Sequence, residues 1–255
     1  MFLEDLKNRF DFFLRERITL SRKYYKEVPY SLSDIYFTKE QNDFYEKLSQ
    51  KYNLSPFEGL SVRNFLENLY FLDVFDKYIS KKLKTETSIL DIGSKNWSYV
   101  RSEYLYFKSF NEKVLLNGIE LDAYRLSSDF YTRYEIARFY KKDLPDTNYI
   151  AGDFMKHNSE YDYIIWILPF VTEYPLIKWG LPLKYFKPQE MLLHAYNMLN
   201  EGGQMLIINQ GEEEANIQKD LLKVTNISRE SDFKEIEDHF NLFKNKRYCF
   251  TIVKQ

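Results

Sequence analysis

The hydrophobic pattern of this chain changes at residue 88, and that change decides most of what it can fold into. From there on, short apolar runs alternate with stretches of helical periodicity, the rhythm of a parallel sheet covered by helices on both faces. The runs predict strands at 89–92, 114–119, 149–151, 163–168 and 204–209, and helices at about 97–110, 128–142, 188–200 and 212–221. Two last strands are expected near 222–228 and 247–253, flanking a helix around 233–240.

Residues 1–87 read as helical instead. Leu3, Leu6, Phe10, Phe13 and Ile18 recur at helical spacing, with Lys7, Arg9, Arg15 and Arg17 on other faces. A basic amphipathic helix can lie on a membrane. Here Glu4, Asp5, Asp11 and Glu16 interleave with the bases, so packing on the rest of the protein is expected. A second helix is expected to open at Ser55-Pro56-Phe57-Glu58, because serine with glutamate three residues on forms a capping box and proline suits the first helical position. Val62, Phe65, Leu66, Leu69 and Phe75 supply its apolar face, and the polar stretch 81–87 ends it. The expected division is a helical extension or lid over 1–87 and an α/β domain over 88–255.

A chain of 255 residues is long enough for that arrangement around one core. No run of about 18 uncharged apolar residues exists, so no membrane span is expected. The charged start, Met1-Phe2-Leu3-Glu4-Asp5, lacks the layout of a signal peptide. A lone Cys249 excludes an intramolecular disulfide framework and a cysteine-rich zinc site, which points to a reducing cytoplasm. His157, His194 and His239 show no metal-ligand spacing, so no metal is expected. The net charge of -2 is spread evenly and leaves no basic footprint, so no nucleic-acid partner is expected. Aromatic content is high, at 18%, and reads first as a Tyr/Phe-rich core and second as a stacking surface for planar or sugar ligands. Nothing in the sequence sets the oligomeric state.

Four landmarks fall where strand ends meet, the place where open α/β sheets bind ligands. Ser88-Ile89-Leu90-Asp91-Ile92-Gly93-Ser94-Lys95-Asn96-Trp97 runs from a strand through an acid and a glycine into a helix. Asn117-Gly118-Ile119-Glu120-Leu121-Asp122 puts an acid at the tip of the second strand, suited to accepting hydrogen bonds from ribose hydroxyls. Tyr149-Ile150-Ala151-Gly152-Asp153-Phe154 ends a strand in Gly-Asp, with Asp153 placed to receive the exocyclic amine of adenine. In Leu199-Asn200-Glu201-Gly202-Gly203 a helix stops at a Gly-Gly turn and an apolar strand follows.

In this order the four landmarks resemble those of class I S-adenosylmethionine-dependent methyltransferases, over residues 88–255. The resemblance implies a Rossmann-like, mostly parallel seven-stranded sheet whose last strand is antiparallel. It implies S-adenosylmethionine as cofactor, with Asp91 and Gly93 near its methionine part, Glu120 on the ribose, and Asp153 and Phe154 at the adenine. Ser94, Lys95, Leu121 and Leu168 complete the expected cofactor contacts. The chain departs from the family at the glycine loop. Only Gly93 is present, while Lys95 and Trp97 stand where the next two glycines belong. The Lys95 ammonium either pairs with the cofactor's carboxylate or, aimed otherwise, repels its sulfonium.

The expected acceptor region is 169–187, a long connection rich in proline and aromatic residues. Pro169, Phe170, Glu173, Tyr174, Trp179 and Asn209 are its candidate substrate contacts, and no residue is assigned catalysis. The amino-methylation motif of Asn or Asp before Pro-Pro-aromatic is not matched, because Leu168 replaces the polar first residue. The absence of a Gly-x-Gly-x-x-Gly or P-loop pattern argues against a dinucleotide or nucleoside-triphosphate enzyme. The resulting expectation is methyl transfer to a small-molecule or sugar-like acceptor, the alternative being a catalytically silent methyltransferase-like binding module.

Overall fold

In a computed structural model, which describes residues 1–22, 24–29, 31, 35–227 and 233–255, seven strands form one sheet. They are β1 (Glu86–Ile92), β2 (Lys113–Glu120), β3 (Thr147–Ala151), β4 (Tyr161–Ile167), β5 (Leu199–Gln210), β6 (Lys234–Ile236) and β7 (Arg247–Val253). Their spatial order is β3-β2-β1-β4-β5-β7-β6. All neighbours are parallel except β7, which runs antiparallel to both β5 and β6. This is the Rossmann-like methyltransferase sheet expected from the sequence.

The central strands read as unbroken apolar runs because both faces are covered. Ile89 faces a core with α3 (Val62–Tyr78), α4 (Val100–Lys108) and α5 (Arg133–Lys141), and Leu90 and Ile92 face one with α7 (Pro188–Asn197) and α8 (Gly211–Val224). The aromatic residues go largely into the first core, where Phe57, Phe65, Phe71, Phe75, Tyr106 and Tyr140 are buried.

Three expectations are corrected. Ser55–Phe57 is a single 3-10 turn, since Gly59 turns left-handed and breaks the path. α3 begins at Val62, where the Ser61 hydroxyl accepts from the Asn64 amide. The 222–228 strand is instead the end of α8 as far as Val224, and residue 228 lies outside the described residues. The expected helix at 233–240 contains β6, and beyond it the Asp238 carboxylate accepts from the amides of Phe240 and Phe243 in a turn.

Before the sheet come α1 (Phe2–Arg17), α2 (Lys39–Lys51) and α3, with α6 (Glu173–Lys178) between β4 and α7. α1 packs against the 176–185 segment through its polar side. Asn8 donates to the carbonyls of Ile177 (2.9 Å) and Leu181 (3.2 Å), and Asp5 accepts from the Leu183 amide at 2.6 Å. Phe12 is the buried apolar residue of this face, 5.2 Å from the Tyr185 ring. The expectation that α1 packs on the protein holds, but through polar groups; its apolar stripe faces outward. No described helix is long and apolar enough to cross a membrane.

Candidate functional site

The carboxyl ends of β1 to β5 share one end of the sheet, and the β1 loop is built tightly against β2. The amides of Gly93 and Ser94 both donate to the Ile119 carbonyl, and the Lys95 amide donates to Glu120 Oε2 at 2.9 Å. Gly93, Lys95 and Trp97 have φ of 71°, 55° and 52°, so three alternate residues are left-handed. Glycine takes that conformation freely, while other residues lose roughly 1–2 kcal/mol each.

Burial and hydrogen bonding offset the strain. The Trp97 side chain is fully buried and its Nε1 donates to Glu103 Oε2 at 2.7 Å. It lies against Gly118 of β2, where a β-carbon would come within 2.9 Å of the indole.

Glu120, at the tip of β2, is the hub of the site. Its Oε1 accepts from the Asp122 amide and from Arg133 Nη1, each at 2.9 Å. Arg133 is the first residue of α5, whose start is fixed by a capping box between Thr132 and Glu135. Two residues past Glu120, Asp122 accepts two hydrogen bonds from Arg15 of α1, at 2.7 and 3.1 Å. Arg15 also donates to the Gly180 carbonyl, so one guanidinium ties α1, the β2 tip and the aromatic connection together.

Asp91 is fully buried. The Tyr99 hydroxyl donates to its Oδ2 at 2.9 Å, while Asp91 Oδ1, Ser94 Oγ and Glu103 Oε1 have no hydrogen-bond partner among the described residues. Burial pushes the Asp91 and Glu103 carboxyls well above the usual carboxylate range; the Glu120 charge raises Asp91 further, and the Asp91 charge raises Glu103. Lys95 reaches solvent, yet burial around its ammonium, with Arg133 second, lowers its pKa. Its ammonium lies 5.2 Å from the Trp179 ring centroid, and the Arg133 guanidinium lies 5.1 Å from the same ring.

Of the other sequence-predicted residues, Leu121 is half-buried beside Glu120 and Asp153 accepts from the Met155 amide through Oδ1. Phe154 is turned inward, packed on Trp166 and His194 in the α7–α8 core rather than laid open at the strand tips. Leu168 is left-handed (φ 56°) and its amide donates to the Ile208 carbonyl, which turns the chain at the β4 tip into buried Pro169. Phe170 packs 6.3 Å from Trp179. Asn209 is fully buried at the end of β5 with neither amide atom partnered. Glu173 and Tyr174 are exposed on the first turn of α6, away from these contacts, with Lys178 over the Tyr174 ring.

The sequence reading missed Tyr99, Glu103, Arg133 and Arg15. One usable signal existed: Thr132-Arg133-Tyr134-Glu135 is a capping box that opens the next helix after β2, which puts Arg133 at a helix start.

No protein-family model matches the sequence, and no curated protein matches it. Solved structures match its fold. A chain of the complex between the Haloferax volcanii Trm112 methyltransferase activator and its methyltransferase partner superposes with a TM-score of 0.51 at 10% identity, over 76% of this chain and 94% of that one. A S-adenosylmethionine-dependent methyltransferase from Aquifex aeolicus gives a TM-score of 0.48 at 15% identity, over 73% and 89% of the two chains. The chain has the class I methyltransferase fold.

Proposed function

We propose that this chain transfers a methyl group from S-adenosylmethionine to a small-molecule acceptor. The observation that carries the reading is the β1 loop. Three left-handed residues, Gly93, Lys95 and Trp97, wrap back so that a backbone amide donates to the Glu120 carboxylate at the tip of the next strand.

The groups present fit the cofactor. Asp91 Oδ1 and Ser94 Oγ are buried and unpartnered beside the loop, suited to an ammonium such as that of the methionine part. Lys95, exposed at the loop, offers a counter-charge for a carboxylate. Glu120 Oε2 accepts one backbone hydrogen bond and has a lone pair left for a ribose hydroxyl, with Leu121 beside it. Gly93 leaves the loop backbone open to the ligand, Asp153 serves the adenine amine, and Phe154 backs that position from the core. When bound, S-adenosylmethionine supplies an electrophilic methyl on a sulfonium, which an in-line nucleophile takes while a neutral thioether leaves.

The protein's own part is positioning and exclusion of water. Leu168 and Pro169 shape the wall at the β4 tip, Phe170 and Trp179 close it from the aromatic connection, and buried Asn209 orients a polar acceptor group. Glu173 and Tyr174 stand at the rim. α1 acts as the cover, latched by Arg15 to Asp122 and Gly180.

The test is calorimetric titration with S-adenosylhomocysteine. The wild type is expected to bind, with Glu120→Ala weaker by roughly ten- to a hundredfold and Lys95→Ala weaker if its ammonium clamps the carboxylate. One observation favours a second reading, a silent binding module: Glu120 is already held by Arg133 and two backbone amides. Absence of binding in the wild type would select it.

A further inference from the structure

α1 is amphipathic in the reverse sense for a helix that only packs on its own protein. Its inward face is Asp5, Asn8, Phe12 and Arg15, three polar residues and one ring. Its outward face is apolar: Phe2, Leu3 and Phe10 are 75%, 78% and 62% exposed, and Leu6, Phe13 and Leu14 are exposed as well. Together these side chains make a patch on the order of several hundred Å², the size at which an apolar surface marks a docking site.

We propose that this outward face of α1 docks onto an anionic lipid bilayer surface. The charges favour that occupant. At 100° per residue, Glu4, Asp5 and Glu16 fall on the half centred on Phe12, and the fourth acid of the helix, Asp11, lies just past its edge. Glu4 is paired with Lys178 at 2.8 Å, and Asp5 with Arg9 and the Leu183 amide. The opposite half carries Lys7 and Arg17 among the apolar side chains, with Asp11 at its border. Among the described residues neither cation has an ion pair; Arg17 lies 4.4 Å over the Phe13 ring.

A second copy bringing the same face would set two cations from each helix together with only the border Asp11 of each to pair them. A bilayer of anionic lipid satisfies both components, since phenyl and leucyl side chains sink below the headgroups while lysine and arginine reach up to the phosphates. The polar latch to Ile177, Leu181, Leu183 and Asp122 keeps the helix on the protein with its apolar side free. The helix lies in the interface and does not cross it.

Co-sedimentation of the full chain with vesicles tests this. Vesicles of phosphatidylcholine containing about one third phosphatidylglycerol should bind the chain, less so as salt rises, and phosphatidylcholine alone should bind it weakly. The double variant Leu6→Ser, Phe10→Ser should lose more than about tenfold in partitioning. Lys7→Glu with Arg17→Glu should lose at least about fivefold on the mixed vesicles and little on phosphatidylcholine. All four side chains are exposed, so unchanged thermal unfolding confirms that the fold is intact. Equal binding to both vesicle types, or none to either, overturns the proposal. A concentration-dependent dimer that Leu6→Ser, Phe10→Ser dissolves, in a chain that ignores vesicles, would give the face to a second copy and overturn it too.

Discussion

Trp97 fills the space that Gly118 leaves by having no side chain: a β-carbon there would stand 2.9 Å from Cε2 and Cζ2 of the indole. The β1 loop and the middle of β2 are therefore fitted to each other. Gly118→Ala should cost about 1–3 kcal/mol by overpacking, read as a lower urea midpoint with an unchanged slope. Trp97→Phe in the Gly118→Ala background should recover part of that loss. Additive effects of the two changes would mean that the indole and Gly118 do not share this space.

Glu103 gives a pH signature. Burial raises its carboxyl pKa above the unfolded value, so the folded chain holds a proton that the unfolded chain releases. The resulting stability is fully present below the unfolded pKa and is lost as pH rises through the folded one. Glu103→Gln keeps an acceptor for Trp97 and has no proton to release. It should be the more stable protein at pH 8 and show a flatter stability curve above about pH 5. Asp91, raised for the same reason, leaves some slope in the variant.

Glu135 works in the opposite direction. Burial raises its pKa, but the Arg22 side chain and backbone, with Thr132, outweigh it and bring the group down to about 2. Its stabilisation is present above the unfolded pKa of 4.5 and is lost as pH falls towards 2. Discounted for the half-exposed Arg22, it is on the order of 2 kcal/mol. Acid unfolding of Arg22→Ala should show a shallower loss over that window than the wild type.

Arg15 ties α1 to the β2 tip. Among the described residues, Arg15→Ala leaves the buried Asp122 with only Arg125 at 3.6 Å and removes the tie to Gly180. Amide exchange should rise in α1 and in residues 173–183 by at least about tenfold, with β1 and β4 unchanged. Uniform acceleration across the sheet would instead mean that α1 is part of the global folding unit.

The strands were legible because a sheet covered on both faces writes its strands as apolar runs, and β7 was located to the residue. β6 was not, since three residues are too few to show a period and its place depends on pairing with β7. The missed start of α3 turned on Ser61, which has no glutamate three residues on, while Ser55 has one and caps no helix. Asp91, Gly93 and Glu120 could be named from their strand-tip positions. Tyr99 and Arg15 could not, because each is defined by a partner that the fold brings up from elsewhere in the chain. The outward turn of the α1 stripe was hidden for the same reason: much of what holds its inner face is backbone, the carbonyls of Ile177 and Leu181 and the Leu183 amide, which no side-chain pattern records.

The place of β7 has a consequence for how the chain is made. β5 and β6 are not neighbours: β5 pairs with β4 on one side and β7 on the other, β6 pairs with β7, and β7 is synthesised after both. Until residues 247–253 leave the ribosome, a nascent chain carries β5 as a bare edge of unpaired amides and carbonyls, long and apolar, beside an otherwise complete five-stranded sheet. During translation that edge is the part of the molecule most in need of shielding, and a chaperone that holds it until β7 arrives would raise the yield of folded protein without touching any residue of the site.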